Sequence, residues 1–488
     1  MSMNQNNNNE KKQEYKEKMD ENFIIAYFKI GKNNLKKRII NSYENVQRES
    51  SRFNLNIISI KENEKDIKEC EIFINDSKIS FNYFHNFPKE GNYTIKYAFK
   101  NLLASTNFMF YDCNSLISID LSNFKNQNVE NMAAMFFGCH SLKSIDLSNI
   151  QTQNVENLSS MFFGCNLLNE INLSKFNTEN VKDMSSMFRG CNSLLSLDLS
   201  NFNFNNVIYM QSMFDSCIAL HTLNLPNSKT KNATDMESLF RYCNKLNSLD
   251  LSNFETEKVI YMSSMFNGCY SLKELNLSNF KTHNVIDMRS MFEECNSLKE
   301  LDLYNFDTKN VKNMNNMFYG CYLLKKLNIS NFETLNVIDM SSMFFDCNLL
   351  LILDLSNFIT NNVNNMANMF NGCHSLISLD LSNFNTENVK NMSSMFNGCH
   401  SLISLDLSNF NIQNVNNMAN MFNGCHSLIS LDLLPNFNTQ NVIEVEHMFS
   451  GCYSLISLNV SNFILVNAKG VYSVFRGCNS LILKRRRR

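Results

Sequence analysis

Asn391-Met-Ser-Ser-Met395-Phe396-Asn-Gly398-Cys399-His-Ser-Leu402-Ile-Ser-Leu405-Asp406-Leu407-Ser-Asn-Phe410 decides the fold, because its pattern returns with a period of 26 residues. Cysteines fall on this grid from Cys113 in steps of 26 to Cys425. They continue at Cys452, after one inserted residue, and at Cys478; of the 16 cysteines only Cys70 lies off it. Each grid cysteine has a phenylalanine three positions upstream, from Phe110 to Phe475. A fixed period of this length marks a solenoid, in which every unit buries its apolar face against its neighbours. Function is then to be sought on a long repetitive surface.

Within the unit that starts at Leu116, Ile119 and Leu121 alternate with polar residues, the pattern of a short strand buried on one face. From Asn131 to Cys139 the apolar residues recur at offsets of three and four, which predicts a short helix or a turn of 3₁₀. The expected architecture is an α/β solenoid of about fifteen coils, with a parallel sheet on one side and a row of short helices on the other. Phenylalanine ladders dominate its cohesion, since burying one such ring is worth roughly 1.5–3 kcal/mol. Methionines such as Met132 and Met135 read as core. Glycine precedes most of the grid cysteines, but Tyr242 and Glu294 stand in the same place, so a left-handed backbone is not expected to be obligatory there.

The chain divides into four parts. Residues 1–22 are Asn, Lys, Glu and Gln with too little apolar surface to order. Residues 23–88 read as a small α/β cap, with strands over Ile24–Ile30, Asn54–Ile60, Glu69–Ile74 and Lys78–Phe84, a helix over Leu35–Arg52 and a turn at Asn75–Ser77. Residues 89–483 form the solenoid, with 89–113 as a divergent first coil. Lys484–Arg488 is a basic tail whose charges guard the last edge, with nuclear import as a second reading.

Charged residues are 18% and the formal net charge is −2, which gives the chain as a whole no electrostatic reason to seek nucleic acid or anionic lipid. No apolar run approaches the roughly 18 residues of a membrane span, and the opening residues lack a signal-peptide core. These features predict a cytoplasmic protein. The ladder cysteines are expected to be reduced and buried as small hydrophobes.

The recurring motif, repeated over about 115–483, resembles the leucine-rich repeats of BspA-like proteins. That resemblance implies a leucine-rich-repeat solenoid and a role in protein binding or adhesion. The sequence departs from the family in two ways: it lacks an export signal, and Phe124 stands where many leucine-rich repeats carry a ladder asparagine.

No arrangement of unlike reactive groups suggests catalysis, and no cofactor is expected. The nearest approach to a metal set is Cys373-His374, Cys399-His400 and Cys425-His426, where inward cysteine puts histidine outward. On the solvent side of the strands, acid and amide alternate from Asp146 and Asn172 to Asp354, a relief of charge along the stack. The flanking columns are mostly serine. The exceptions that cluster are Glu274, Glu300, Tyr304, Lys326 and Ile352 on four successive coils, and with Asp302 they form the candidate partner-binding site. The expected function is a non-enzymatic scaffold for protein partners; the alternative is a surface adhesin. One coil is irregular: Ser228 replaces a column phenylalanine, and the loss of a buried ring predicts the weakest point of the array.

Overall fold

The computed structural model describes residues 22–49, 62–433, 437–460 and 463–484. The expectations for residues 1–21, for a strand over Asn54–Ile60 and for residues 485–488 of the tail lie outside these. The chain forms two compact units, Met1–Ser228 and Lys229–Arg488.

The first unit opens with a mixed segment. Its elements are β1 (Phe23–Ile30), β2 (Lys36–Arg38), α1 (Tyr43–Glu49), α2 (Glu64–Lys68), β3 (Glu71–Ile74), β4 (Ser77–Ile79), β5 (Phe84–Asn86), β6 (Gly91–Ala98) and β7 (Leu116–Asp120). They build a five-stranded sheet in the order β4-β3-β6-β1-β7, and β2 pairs with β5 apart from it. Three expectations change here. The helix predicted over Leu35–Arg52 begins only at Tyr43, because Lys36–Arg38 is drawn into a strand against Phe84–Asn86. The single strand expected over Lys78–Phe84 is two short strands belonging to different sheets. Gly91–Ala98, expected inside a first coil, is the antiparallel partner of both β1 and β3. Alternating Tyr93, Ile95 and Tyr97 bury one face, a period-two signal that overrides the register of the repeats. β1 also pairs antiparallel with β7, so the outer edge of the first coil strand is hydrogen-bonded.

Beyond this segment both units are β-solenoid. Short strands pair in parallel with their equivalents one coil on, as in Ser196↔Thr222 of the first unit and Ser404↔Ser430 of the second. A second column of parallel bridges runs from Ser105↔Asn131 to Asp183↔Tyr209, and from Asp235↔Tyr261 to Glu444↔Lys469.

Of the two forms expected over Asn131–Cys139, an α-helix is not made and the backbone is a run of turns, while the equivalent stretch of the last coil, Val471–Ser473, is a turn of 3₁₀. Met132, Ala134, Phe136 and Gly138 donate their N–H groups to Asn157, Ser159, Met161 and Phe163 of the next coil, at 2.7–3.0 Å. Met135, Phe137 and Cys139 donate back three positions within the coil. An α-helix would have turned its later N–H groups back onto carbonyls four residues earlier in the same segment. Here alternate groups are turned outward, which requires a left-handed residue at Ala134 and again at Gly138, φ 53° and 70°. The conformation therefore recurs every fourth position rather than every 3.6, and over so short a run the two produce the same apolar spacing.

The left-handed conformation before the cysteine is thus obligatory, against expectation. Tyr242, Glu294 and Asp346 adopt it at φ 55–57°, and each sends its N–H to the next coil at 2.6–2.7 Å. Where the residue is not glycine, the inter-coil bond offsets a strain of about 1–2 kcal/mol.

Side chains complete the stack. In the phenylalanine column, Phe110–Phe136 and Phe396–Phe422 rings lie 5.7 and 5.5 Å apart, 5° and 8° from parallel. This exceeds the ~4.8 Å between paired strands, so the rings are slipped, the arrangement their quadrupoles favour. A buried threonine column adds polar links: the Thr256 hydroxyl accepts the Lys281 N–H at 2.7 Å and donates to the Lys281 carbonyl at 2.9 Å. Ladder asparagines are present too, in a different column from Phe124. Asn284, Asn310 and Asn388 each donate to a carbonyl of the preceding coil at 2.7–2.8 Å.

The coil expected to be weakest has a second exception beside the first. Phe204 occupies a threonine position and is fully buried, while Ser228, in the next coil, occupies a phenylalanine position. The Phe204 N–H donates to the Ser228 hydroxyl at 2.7 Å. The two exceptions are one exchange of volume between adjacent coils. Phe204→Thr should cost about 3 kcal/mol or more by cavity formation and Ser228→Phe about 1–3 kcal/mol by overpacking. The double variant should lose clearly less than the sum in urea denaturation. Additive losses would show the two sites to be independent.

Asp183 stands in a column held by Asn131 and Asn157 and accepts the Ser185 N–H at 2.9 Å. Burial pushes its carboxyl up to about 6. A folded value above the unfolded one means that ionisation opposes folding in full above that value, and that this cost disappears as pH falls toward the ordinary aspartate value near 3.9. Asp183→Asn should accordingly stabilise the protein at about pH 7.5, by on the order of 1–3 kcal/mol, and not at about pH 3.5. Denaturation midpoints at the two pH values measure this, and an equal gain at both would contradict it.

Candidate functional site

The strand Glu300–Asp302 pairs in parallel with Lys326–Asn328, which sets Glu300 against Lys326 and Asp302 against Asn328. The inward leucines Leu301 and Leu327 are buried, so the alternate side chains on both strands face solvent. Lys326 Nζ lies 2.6 Å from Glu300 Oε1, with both side chains mostly exposed; such a pair orients more than it stabilises. Asp302 Oδ1 accepts the Asn328 amide at 2.8 Å and the Tyr304 N–H at 3.0 Å. The carboxylate is thus fixed, and the chain turns so that Tyr304 stands out, 59% exposed.

Glu274, Glu300, Asp302, Tyr304, Lys326 and Ile352, the six residues singled out in the sequence, all line one groove of about 980 Å³ in the second unit. Lys325 and Leu351 also line it and were missed. Their signal was available one column away, where the residue four after each cysteine changes from Lys325 to Leu351 and then to Ile377. The groove offers carboxylates, ammonium groups, one phenol and exposed aliphatic side chains, which suits recognition of another chain.

The acid–amide alternation has a sharper basis than charge relief. The amide donates to the carboxylate of the preceding coil, directly in Asn328–Asp302, and the side chains of Asn172 and Asn224 help hold the Asp146 and Asp198 carboxyls below the usual range. The larger cause at both is the N–H two positions on, from Ser148 and Ser200, which ends the strand in a tight turn.

The histidines form a stack. His374, His400 and His426 have ring centroids 4.5 and 4.4 Å apart and nearly parallel planes, and Tyr453 follows at 4.9 Å. Nδ1 of His374 and His400 faces the carbonyls of Gly398 and Gly424 at 2.8 Å, so it carries the proton and donates. Rings held this way direct their other nitrogens side by side rather than toward one point. Among the described residues no group of three or more His, Cys, Asp or Glu is placed to hold a metal ion.

The ladder cysteines form no disulfide that the structure records. Along the column the S–H donates to a main-chain carbonyl of the preceding coil, as Cys139 does to Phe110 at 3.1 Å and Cys165 to Phe136 at 3.2 Å. That carbonyl also accepts the N–H of its own coil's cysteine. The sulfur therefore satisfies a second lone pair, a role that reading it as a small hydrophobe did not supply. Burial pushes the Cys269 and Cys373 thiols up to about 12, so these carry no thiolate at neutral pH, whereas a side-chain hydrogen bond with Cys452 lowers Cys478. Cys478 alone among the described cysteines is not buried. A thiol probe on native protein should label Cys478 and spare the rest of the column, with full labelling only in denaturant. Rapid native labelling at several ladder sites would contradict the buried donor role.

A family model described as "Mycoplasma protein of unknown function, DUF285" matches residues 104–222, 210–326, 297–402, 321–431 and 403–484. No curated protein matches. Among solved structures, the crystal structure of the TLR13–ssRNA13 complex aligns at 17% identity with a TM-score of 0.23, covering 78% of this chain and 66% of that one. The functional domain of InlJ from Listeria monocytogenes, described as including a cysteine ladder, aligns at 13% identity with a TM-score of 0.15, covering 74% and 70%. No helix among the described residues is long and apolar enough to cross a membrane.

Proposed function

We propose that this chain, which belongs to the family described as a Mycoplasma protein of unknown function, DUF285, is a non-enzymatic scaffold that binds protein partners on the strand face of its second unit. One observation carries the reading: where the equivalent outward column is mostly serine, three successive coils place Tyr304, Leu351 and Ile352 beside the Glu300–Lys326 pair in a single groove. Exposed aromatic and aliphatic anchors rimmed by charge are the features of a protein contact site. Cytoplasmic residence goes with this reading, and buried ladder thiols such as Cys269 and Cys373 fit a reducing compartment.

The test is capture of binding proteins from the native cell by full-length chain and by variants. Tyr304→Ser with Lys326→Ser should lose the captured partner, because an aromatic anchor at the centre of a contact typically contributes about 2 kcal/mol or more. Ser378→Ala, on the same face but outside the groove, should retain it. Equal capture by both variants would remove the groove as the site. Degradation of the protein on intact cells by added protease would instead favour a surface adhesin.

A further inference from the structure

From Cys269 on, the residue four positions after each cysteine forms a column along the second unit: Lys273, Lys299, Lys325, Leu351, Ile377, Ile403, Ile429, Ile456 and Ile482. All nine are exposed, and the six aliphatic ones are 45–65% so. Main-chain bonds hold the rungs in line: Lys325 donates to Lys299 at 2.8 Å, Ile429 to Ile403 at 2.8 Å and Ile482 to Ile456 at 2.8 Å. The six aliphatic rungs are contiguous and expose on the order of 500 Å², a size at which apolar surface on a folded protein usually marks a contact site. The near-identity of the coils at Cys373, Cys399 and Cys425 does not account for the column, since Leu351, Ile456 and Ile482 lie in coils of different outward sequence.

The lysine end identifies what lies on it. Among the described residues Lys273, Lys299 and Lys325 make no ion pair, like most lysines of this unit; the carboxylates beside them in sequence are Glu274 and Glu300, the latter engaged by Lys326. Three unpaired ammonium groups, one per coil, ask for carboxylates spaced at about 4.8 Å, and the next six rungs ask for aliphatic side chains at the same spacing. The apolar stripe of an amphipathic helix repeats every 3–4 residues, or about 5 Å along its axis, and so matches the rungs closely. We propose that this column seats an amphipathic helix of another protein, acidic over Lys273–Lys325 and aliphatic over Leu351–Ile482, lying along the coil axis of the second unit. The proposal rests on the scaffold reading and gives the partner's chemistry. The groove joins the column at Lys325 and Leu351, where the acidic part of the helix gives way to the aliphatic part.

Two synthetic helical peptides of about 25 residues, long enough for the whole column, test this. Both carry a leucine stripe over two thirds of their length; the remaining third presents glutamates in one and lysines in the other. In fluorescence anisotropy with full-length protein, the glutamate peptide should bind at least about tenfold more tightly than the lysine peptide. Lys273→Glu with Lys299→Glu should reverse that order, and Ile403→Ser with Ile429→Ser should weaken both peptides about tenfold. These side chains are exposed, so folding is not at stake. Equal affinity for the two peptides, or binding indifferent to the isoleucine variants, would overturn the proposal. So would self-association in sedimentation that Ile403→Ser with Ile429→Ser abolishes, since the occupant would then be a second copy. Partner capture that depends on Tyr304 without any peptide binding would sink the helix seat and leave the groove standing. Peptide binding with capture indifferent to Tyr304 would do the reverse.

Discussion

Everything in the two solenoid units follows from where the turn backbone sends its N–H groups. In Met132–Cys139 alternate donors leave the coil and close on carbonyls of the next one. A single coil cannot satisfy its own main chain, and a buried unpaired N–H is costly enough to forbid the isolated unit. Two left-handed residues per coil are the geometric condition for this arrangement, and they are kept even where the residue is Tyr, Glu or Asp. Strain of that kind persists only where the surroundings over-determine it. The stacked phenylalanines, the threonine hydroxyls and the cysteine S–H groups then act on a spacing the backbone has already set.

Much of this was legible in residue positions. The regular recurrence of Phe and Cys set the coil length and the inward columns, because a solenoid repeats its core residue by residue. The outward exceptions Glu274, Glu300, Tyr304, Lys326 and Ile352 were visible as breaks in a serine surface, and the parallel register brings them to one groove. Less legible was the conformation of Asn131–Cys139, since spacings of three and four do not separate a helix from turns of period four over so short a stretch. The role of sulfur was also hidden. Composition reports a small apolar side chain, and only the structure shows its hydrogen directed at a carbonyl of the coil before.

The pairing of Phe204 with Ser228 shows a limit of reading columns one at a time. Each residue is an error within its own column, yet together they conserve volume across two neighbouring coils. Gly91–Ala98 shows another. Its residues partly fit the register of the repeats, but they also alternate, and Phe23–Ile30 pairs along its whole length while Glu71–Ile74 pairs with Ile95–Ala98 on the other side.

The fixed offset between donor and acceptor also governs how such a gene can change. Losing or gaining a residue inside the turn run would put that coil's donors out of step with both neighbours, whereas removing or adding a full period leaves each N–H facing an equivalent carbonyl. Unequal crossing-over between coils as alike as those at Cys373, Cys399 and Cys425 therefore yields chains that are shorter or longer but fully bonded. Coil number is the coordinate along which this architecture evolves without strain. With it varies the length of surface on offer to whatever the protein holds.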